Sequence, residues 1–122
     1  MSGRQAKTCR VCGRRMEWRR KWADCWDEVH ICSKACRKQG VGKLDLALEH
    51  AILGILKSRT GSMCPSEAAR RVYPTGWRDE MERCRRAARR LVARGEIVIT
   101  QRGRVVDPST AKGPIRLERS CS

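Results

Sequence analysis

Phenylalanine and asparagine are missing from all 122 residues, and tyrosine occurs once. Without phenylalanine, a core must be assembled from Leu, Ile, Val, Met, Ala and the four tryptophans. Without asparagine, the His–Asn arrangement that metal-dependent nucleases place beside their ion has no second member, and His50 lies far from the cysteine cluster in sequence. No apolar run reaches the roughly 18 residues that a membrane-spanning helix requires. The opening segment MSGRQAKTCR has no apolar stretch, so no secretory signal is expected and the expected location is cytoplasmic. Acidic residues are also scarce: 13 stand against 28 Lys and Arg, a net charge of +15.

That charge is shared along the chain. The first 43 residues carry 12 basic and 4 acidic groups, and the remainder carry 16 and 9. A field of this sign attracts polyanions, with nucleic acid ahead of an anionic membrane surface. Arg outnumbers Lys by 21 to 7, which suits bidentate contacts to phosphate or guanine, although a GC-rich genome would raise the same ratio.

What the sequence does have is cysteine, eight of them. In a chain with no secretory signal this points to metal binding and free thiols rather than a disulfide framework. Cys9 and Cys12 form a C-x2-C pair, and Cys32 and Cys36 form a C-x3-C pair after nineteen residues. Two cysteines spaced by two residues can turn both sulfurs to one ion in a tight knuckle, here helped by Gly13. The second pair reads as the first turn of a helix capped near Ser33, with spacing i, i+4 putting both sulfurs on one face. Four thiolates make a closed tetrahedral site for one structural Zn²⁺, with no position left for a substrate water. Cys25 has no partner at a ligand spacing and is read as free. His30, two residues before Cys32, is a weaker candidate than the fourth cysteine.

Between the pairs, Trp18, Trp22 and Trp26 share both the parity of a strand and the four-residue period of a helix, so periodicity does not choose. The indoles either form the core of this module or stack on exposed bases, with Arg19, Arg20 and Lys21 on the backbone. The shortage of other large apolar residues nearby favours the core.

Residues 1–39 thus read as a zinc module, 40–43 as a linker and 44–119 as a second domain. Gly42-Lys43 resembles the end of a phosphate-binding loop. Arg37 occupies the required upstream Gly position and Leu44 replaces Ser/Thr, so a nucleotide site is rejected. Leu44, Leu48, Ala51, Ile52, Ile55 and Leu56 follow a helical stripe, with Asp45 as a plausible N-cap. A short helix is expected over 65–72, with Pro65 at its first position and Glu67 at the positive end of its dipole. The longest helix is expected over 77–94. Its inner face would carry Trp77, Met81, Cys84, Ala88 and Leu91, its outer arc Arg78, Arg83, Arg85, Arg86, Arg89, Arg90 and Arg94, and Gly95 would stop it. A β-hairpin follows, with strands over 96–101 and 104–106 around an Arg102-Gly103 turn, and a last strand is expected over 113–117. Three helices and then a hairpin is the order of a winged helix-turn-helix. The fold class expected is α+β: a small zinc knuckle, treble-clef or zinc-ribbon-like, followed by a three-helix winged domain.

The segment Cys9-Arg-Val-Cys-Gly-Arg, Trp18-Arg-Arg-Lys-Trp22, Trp26-Asp-Glu-Val and Cys32-Ser-Lys-Ala-Cys-Arg37 resembles the zinc-binding domain-of-unknown-function family 2256. Residues 48–117 resemble the domain-of-unknown-function family 3253, through Cys64-Pro-Ser-Glu-Ala-Ala-Arg70, Trp77-Arg78, Gly95-Glu-Ile, Thr100-Gln-Arg-Gly103 and Gly113-Pro-Ile-Arg116. The resemblance implies a zinc knuckle joined to a winged helix and brings no known reaction. Met16 stands where an aromatic would be expected.

The functional expectation is a nucleic-acid-binding accessory or regulatory protein, DNA or RNA. Arg78, Arg86, Arg89 and Arg90 would make its contacts from the long helix, Arg102 and Arg104 from the hairpin, and Arg19, Arg20 and Lys21 from the zinc module. The competing expectation is an adaptor whose zinc module grips a protein, with the charge aiding only solubility. Neither an enzyme, a small-molecule substrate nor a membrane partner is expected, since no nucleophile–base pair, carboxylate pair or open metal site emerges.

Overall fold

The computed structural model describes residues 6–120. Its first segment begins with a two-residue-per-strand hairpin, β1 (Lys7–Thr8) and β2 (Arg15–Met16), in antiparallel register Lys7↔Met16 and Thr8↔Arg15. The loop it closes holds the first cysteine pair. Cys9 N donates to Arg14 O at 2.8 Å and Gly13 N to Cys9 O at 3.0 Å, and Gly13 takes φ +76° to make the turn. The tryptophan segment is neither strand nor α-helix. Two 3-10 turns, Arg20–Trp22 and Trp26–Glu28, occupy it, because Cys9, Val11, Cys12, Met16 and Cys36 gather around Trp26 and leave no regular face to bury. α1 (Lys34–Gln39) follows, and Ser33 caps it by accepting from Cys36 N at 3.2 Å.

Three helices build the next layer: α2 (Lys43–Lys57), α3 (Pro65–Val72) and α4 (Met81–Ala93), the last entered through a 3-10 turn at Trp77–Glu80. The N-cap of α2 is Gly42, not Asp45. Asp45 sits three residues in and its carboxylate accepts from Gly42 N at 2.8 Å. That start turns Leu44 outward, so it leaves the apolar stripe and lies 48% exposed. Leu48, Ile52, Ile55 and Leu56 do face inward, and α4 meets them with Cys84, Ala87, Ala88 and Leu91. The alanines let α4 approach closely, which suits a core with no large aromatic at its centre.

Against the helices lies a three-stranded antiparallel sheet in the order β4 (Arg104–Val105), β3 (Ile97–Gln101), β5 (Arg116–Arg119). Gln101↔Arg104 pairing leaves Arg102-Gly103 as a two-residue turn with φ +53° and +80°, the positive-φ pair that a tight hairpin of matching twist requires. The last strand is shifted from the expected 113–117 because Leu117 does two things. It pairs with Ile99, and it exchanges two backbone hydrogen bonds of 2.9 Å with Met63, before α3. Met63, Leu91, Ile97, Ile99 and Leu117 are fully buried where helices and sheet meet, each side chain contributing about 1.5–3 kcal/mol by its removal from water. No helix among the described residues is long and apolar enough to cross a membrane.

Candidate metal centre and the interface that carries it

The hairpin loop and the N-terminus of α1 bring Cys9, Cys12, Cys32 and Cys36 together, with all four sulfurs within 4.8 Å of one another. Cys12 Sγ lies 3.7 Å from Cys32 Sγ, which lies 3.5 Å from Cys36 Sγ. A tetrahedral ion with sulfur ligands at about 2.3 Å would hold its ligands about 3.8 Å apart, so the four residues fit one metal ion. The backbone prepares Cys9 for charge. Burial resists ionisation of Cys9, but the N–H groups of Cys12, Cys32 and Val11 aim at its sulfur and outweigh that, bringing the thiol down to about 7. Burial raises Cys12. Burial, reinforced by the Cys36 thiol, pushes Cys32 up to about 12. Thiols this close do not ionise together without a cation between them, and a bound metal supplies it. Cys25 is exposed and outside the cluster. His30 is also outside it, and its carbonyl accepts from Arg10 N at 2.8 Å.

The knuckle does not stand free. Arg89 and Arg90, expected on the exposed outer arc of the long helix, are each only 6% exposed, which removes both from the contact surface. Arg89 Nε donates to Cys12 O at 2.6 Å and its Nη2 to Glu82 at 2.8 Å. Arg90 Nη1 donates to Val11 O at 2.7 Å and its Nε to Glu49 at 2.7 Å. Both guanidiniums therefore clamp carbonyls of the ligand-bearing loop. Gly13 packs so closely that a Cβ there would lie 2.4 Å from Arg89 Cβ and 2.6 Å from its carbonyl carbon. On the other side Arg15 ties β2 to the segment after β4, with Nη1 2.6 Å from Asp107 and its backbone N 2.7 Å from Ser109 Oγ.

Glu49 is the acid beneath this interface. Its carboxylate, almost fully buried, takes Arg90 on one oxygen and Arg94 on the other, at 2.7 and 2.8 Å. Asp45, one turn earlier on α2, meets Arg83 at 3.5 Å. Residue-by-residue reading of charge missed this network. The signal was present as Asp45 and Glu49, four apart on α2, and Arg83, Arg90 and Arg94, seven and four apart along α4 and its C-cap, which face one another once the helices pack.

The remaining expected contact residues are distributed as follows. Arg86 is half-buried, donates to the Gln39 side chain, and its Nε, 3.6 Å from Glu82, makes no hydrogen bond. Arg78 is exposed and lies over the Trp77 ring at 4.7 Å, with Arg70 on the same indole at 4.4 Å. Arg19, Arg20 and Lys21 are exposed on the first 3-10 turn. Arg19 and Lys21 cover Trp22 at 5.7 and 5.0 Å, and Trp22 in turn stacks on buried Trp26 with centroids 5.5 Å apart. The indoles are therefore largely core. Arg102 and Arg104 are exposed at the hairpin tip.

No curated protein matches the chain. The model of a family described as "Uncharacterized protein conserved in bacteria (DUF2256)" matches residues 2–39, the segment that holds all four clustered cysteines. A second model, described as "Protein of unknown function (DUF3253)", matches residues 45–120, the helices and the three-stranded sheet. The chain belongs to the DUF3253 family, and the segment ahead of that domain, which matches the DUF2256 model, docks on the arginine face of α4.

Proposed function

We propose that this protein binds nucleic acid without catalysing a reaction, using one structural zinc ion as scaffold and the exposed cations of the metal module and the hairpin as its contacts. The observation that carries this reading is how charge is sorted. Of the thirteen acids, Asp45, Glu49, Glu67, Glu82, Glu96 and Asp107 are each taken up by arginines of the fold, while Asp24, Asp27, Glu28 and Asp79 stay exposed and are outnumbered by the exposed cations. Arg20, Arg102 and Arg104 are exposed and have no carboxylate partner among the described residues. The surplus positive charge therefore faces outward, where it would neutralise phosphates and release counterions.

Four sulfurs at tetrahedral spacing suit zinc or an iron–sulfur centre; sulfurs this close favour a single ion, and zinc is the one proposed. Four thiolates would leave it no open position, which supports a binding module over an enzyme. A knuckle hairpin followed by a helix that supplies two ligands is treble-clef-like. Helix, bridging residue, two helices and a hairpin is the order of a winged helix. In that architecture the third helix enters the major groove. Here the outer face of α4 lies under the knuckle, with Arg89 and Arg90 committed to its carbonyls. Contact therefore falls to the hairpin (Arg102, Arg104), to Arg78 ahead of α4, and to Arg19, Arg20 and Lys21. Elemental analysis tests the zinc. Polarisation binding to duplex DNA, single-stranded DNA and structured RNA at several salt concentrations tests the contact, and absence of binding to all three at low salt would leave a protein-binding adaptor as the better reading.

A further inference from the structure

Beside the hairpin tip, a cavity of about 510 Å³ opens between the end of β3 and the segment leading into β5, lined by Gln101, Arg102, Lys112, Pro114, Ile115 and Arg116. That volume lies in the range of about 300–1,000 Å³ typical of small-ligand sites. Three of the six lining residues are cationic and none is acidic. Its walls are braced. Gln101 Nε2 donates to the carbonyls of Lys112 and Pro114 at 2.6 and 3.2 Å, tying the loop to the strand. Arg85 reaches from α4 to Gly113 O at 3.1 Å. Arg116 is oriented by Ser62, through Nε to Oγ at 2.9 Å and Nη2 to the carbonyl at 3.2 Å. Buried Ile115 forms the floor.

Two further features mark this cleft. Among the described residues no carboxylate pairs with Arg102, Lys112 or Arg116, a property shared with exposed arginines such as Arg20, whereas Arg15, Arg59 and Arg94 lie against carboxylates. The acid whose charge reaches Arg116 is Glu67, and Arg59 already holds it at 2.7 and 3.1 Å. In addition, Arg102 has φ +53°, and it is the non-glycine residue with positive φ among those described. Glycine or asparagine would adopt that backbone with less strain. The strained position places a guanidinium at the rim of the cleft, and strain of this kind concentrates at functional sites.

We propose that this cleft is a phosphate-binding site that takes one backbone phosphodiester of the nucleic acid, shared among Arg102, Lys112 and Arg116. The assignment rests on the nucleic-acid reading above and specifies where one phosphate sits. Cations that share a phosphate are distinguishable from cations that each meet their own. On duplex DNA each neutralised phosphate contributes about 0.9 to the slope of log affinity against log salt.

The test is the metal-loaded full chain carrying Arg102→Gly, Lys112→Ala and Arg116→Ala together, because one cation left in the cleft still neutralises the phosphate. The first substitution relieves the left-handed strain, the second removes an exposed side chain and the third gives up the Ser62 contacts, so thermal unfolding serves as a check that the fold persists. A fall in slope of about 0.9 is expected for the triple variant on a labelled duplex. An unchanged slope, or a fall of about 2.7, would overturn the shared site while leaving nucleic-acid binding in place. Wild-type protein that fails to bind the duplex at low salt would overturn both. Vesicles containing an anionic phospholipid and inorganic phosphate as competitor separate the other sources of the same chemistry. Stronger retention on the vesicles than on the duplex, or displacement of the duplex by millimolar phosphate alone, would overturn the backbone phosphodiester as the occupant.

Discussion

Arg90 on α4 places Nη1 2.7 Å from the carbonyl of Val11, between two candidate metal ligands, while its Nε lies 2.7 Å from Glu49 on α2. One buried side chain thus joins the ligand loop to the helical layer. A lysine has a single nitrogen and cannot make both contacts in this geometry. Arg90→Lys is therefore expected to lower metal retention by about tenfold, the low end for groups that hold metal ligands in place. Competition against a chromophoric chelator measures it. Arg90→Ala also leaves Glu49 with fewer partners in a buried site, and should destabilise the chain by about 3–5 kcal/mol in urea unfolding.

Gly13 gives an independent handle on the same interface. Alanine there must adopt φ +76° and push its Cβ into the Arg89 backbone. The expected loss is about 1–3 kcal/mol from the left-handed backbone, with further loss from the clash. An unfolding midpoint equal to wild type would show that the knuckle does not dock on α4 in solution.

Cys32→Ser tests metal and docking together. Metal per chain should fall from one toward zero, because a small site of this kind gains its folding free energy from the ion. Residues 44–119 should also lose stability, since Arg89 and Arg90 would lose the carbonyls they bind. Retention of wild-type stability in that domain would mean that the two segments fold independently.

Thiol chemistry reports the phase of α4. Cys84 is fully buried, its Sγ donates to Pro65 O at 3.2 Å, and burial pushes the thiol up to about 12. It should resist a thiol reagent in the native state, while exposed Cys25 reacts within the mixing time. Cys121, a natural second reference, lies outside the described residues. Equal rates for Cys25 and Cys84 would place the wrong face of α4 inward.

Local chemistry made several of these features legible in the sequence. Cys9, Cys12, Cys32 and Cys36 declare a site by spacing alone. Ser33, Pro65 and Gly95 mark helix ends because their caps and turns depend on near neighbours. The Arg102-Gly103 turn follows from the two strands beside it. Features decided by distant contacts were not legible. Trp18, Trp22 and Trp26 fit two periods equally, and only packing around Trp26 selects 3-10 turns. Leu117 is placed by Met63 and Ile99, 54 and 18 positions away in the sequence. Arg89 and Arg90 look identical to exposed neighbours until the knuckle covers them.

The central claim is that outward-facing cations, not the arginine face of α4, contact nucleic acid. It is tested most directly by comparing two variants for the salt dependence of duplex binding. Arg20→Ala with Arg104→Ala removes two exposed cations from separate surfaces, and the slope should fall by about 1.8, one phosphate for each. Arg86→Ala removes a half-buried side chain engaged with Gln39 and Glu82, and the slope should stay at the wild-type value. The reverse pattern, with the slope lost in Arg86→Ala and kept in the double variant, would contradict the account.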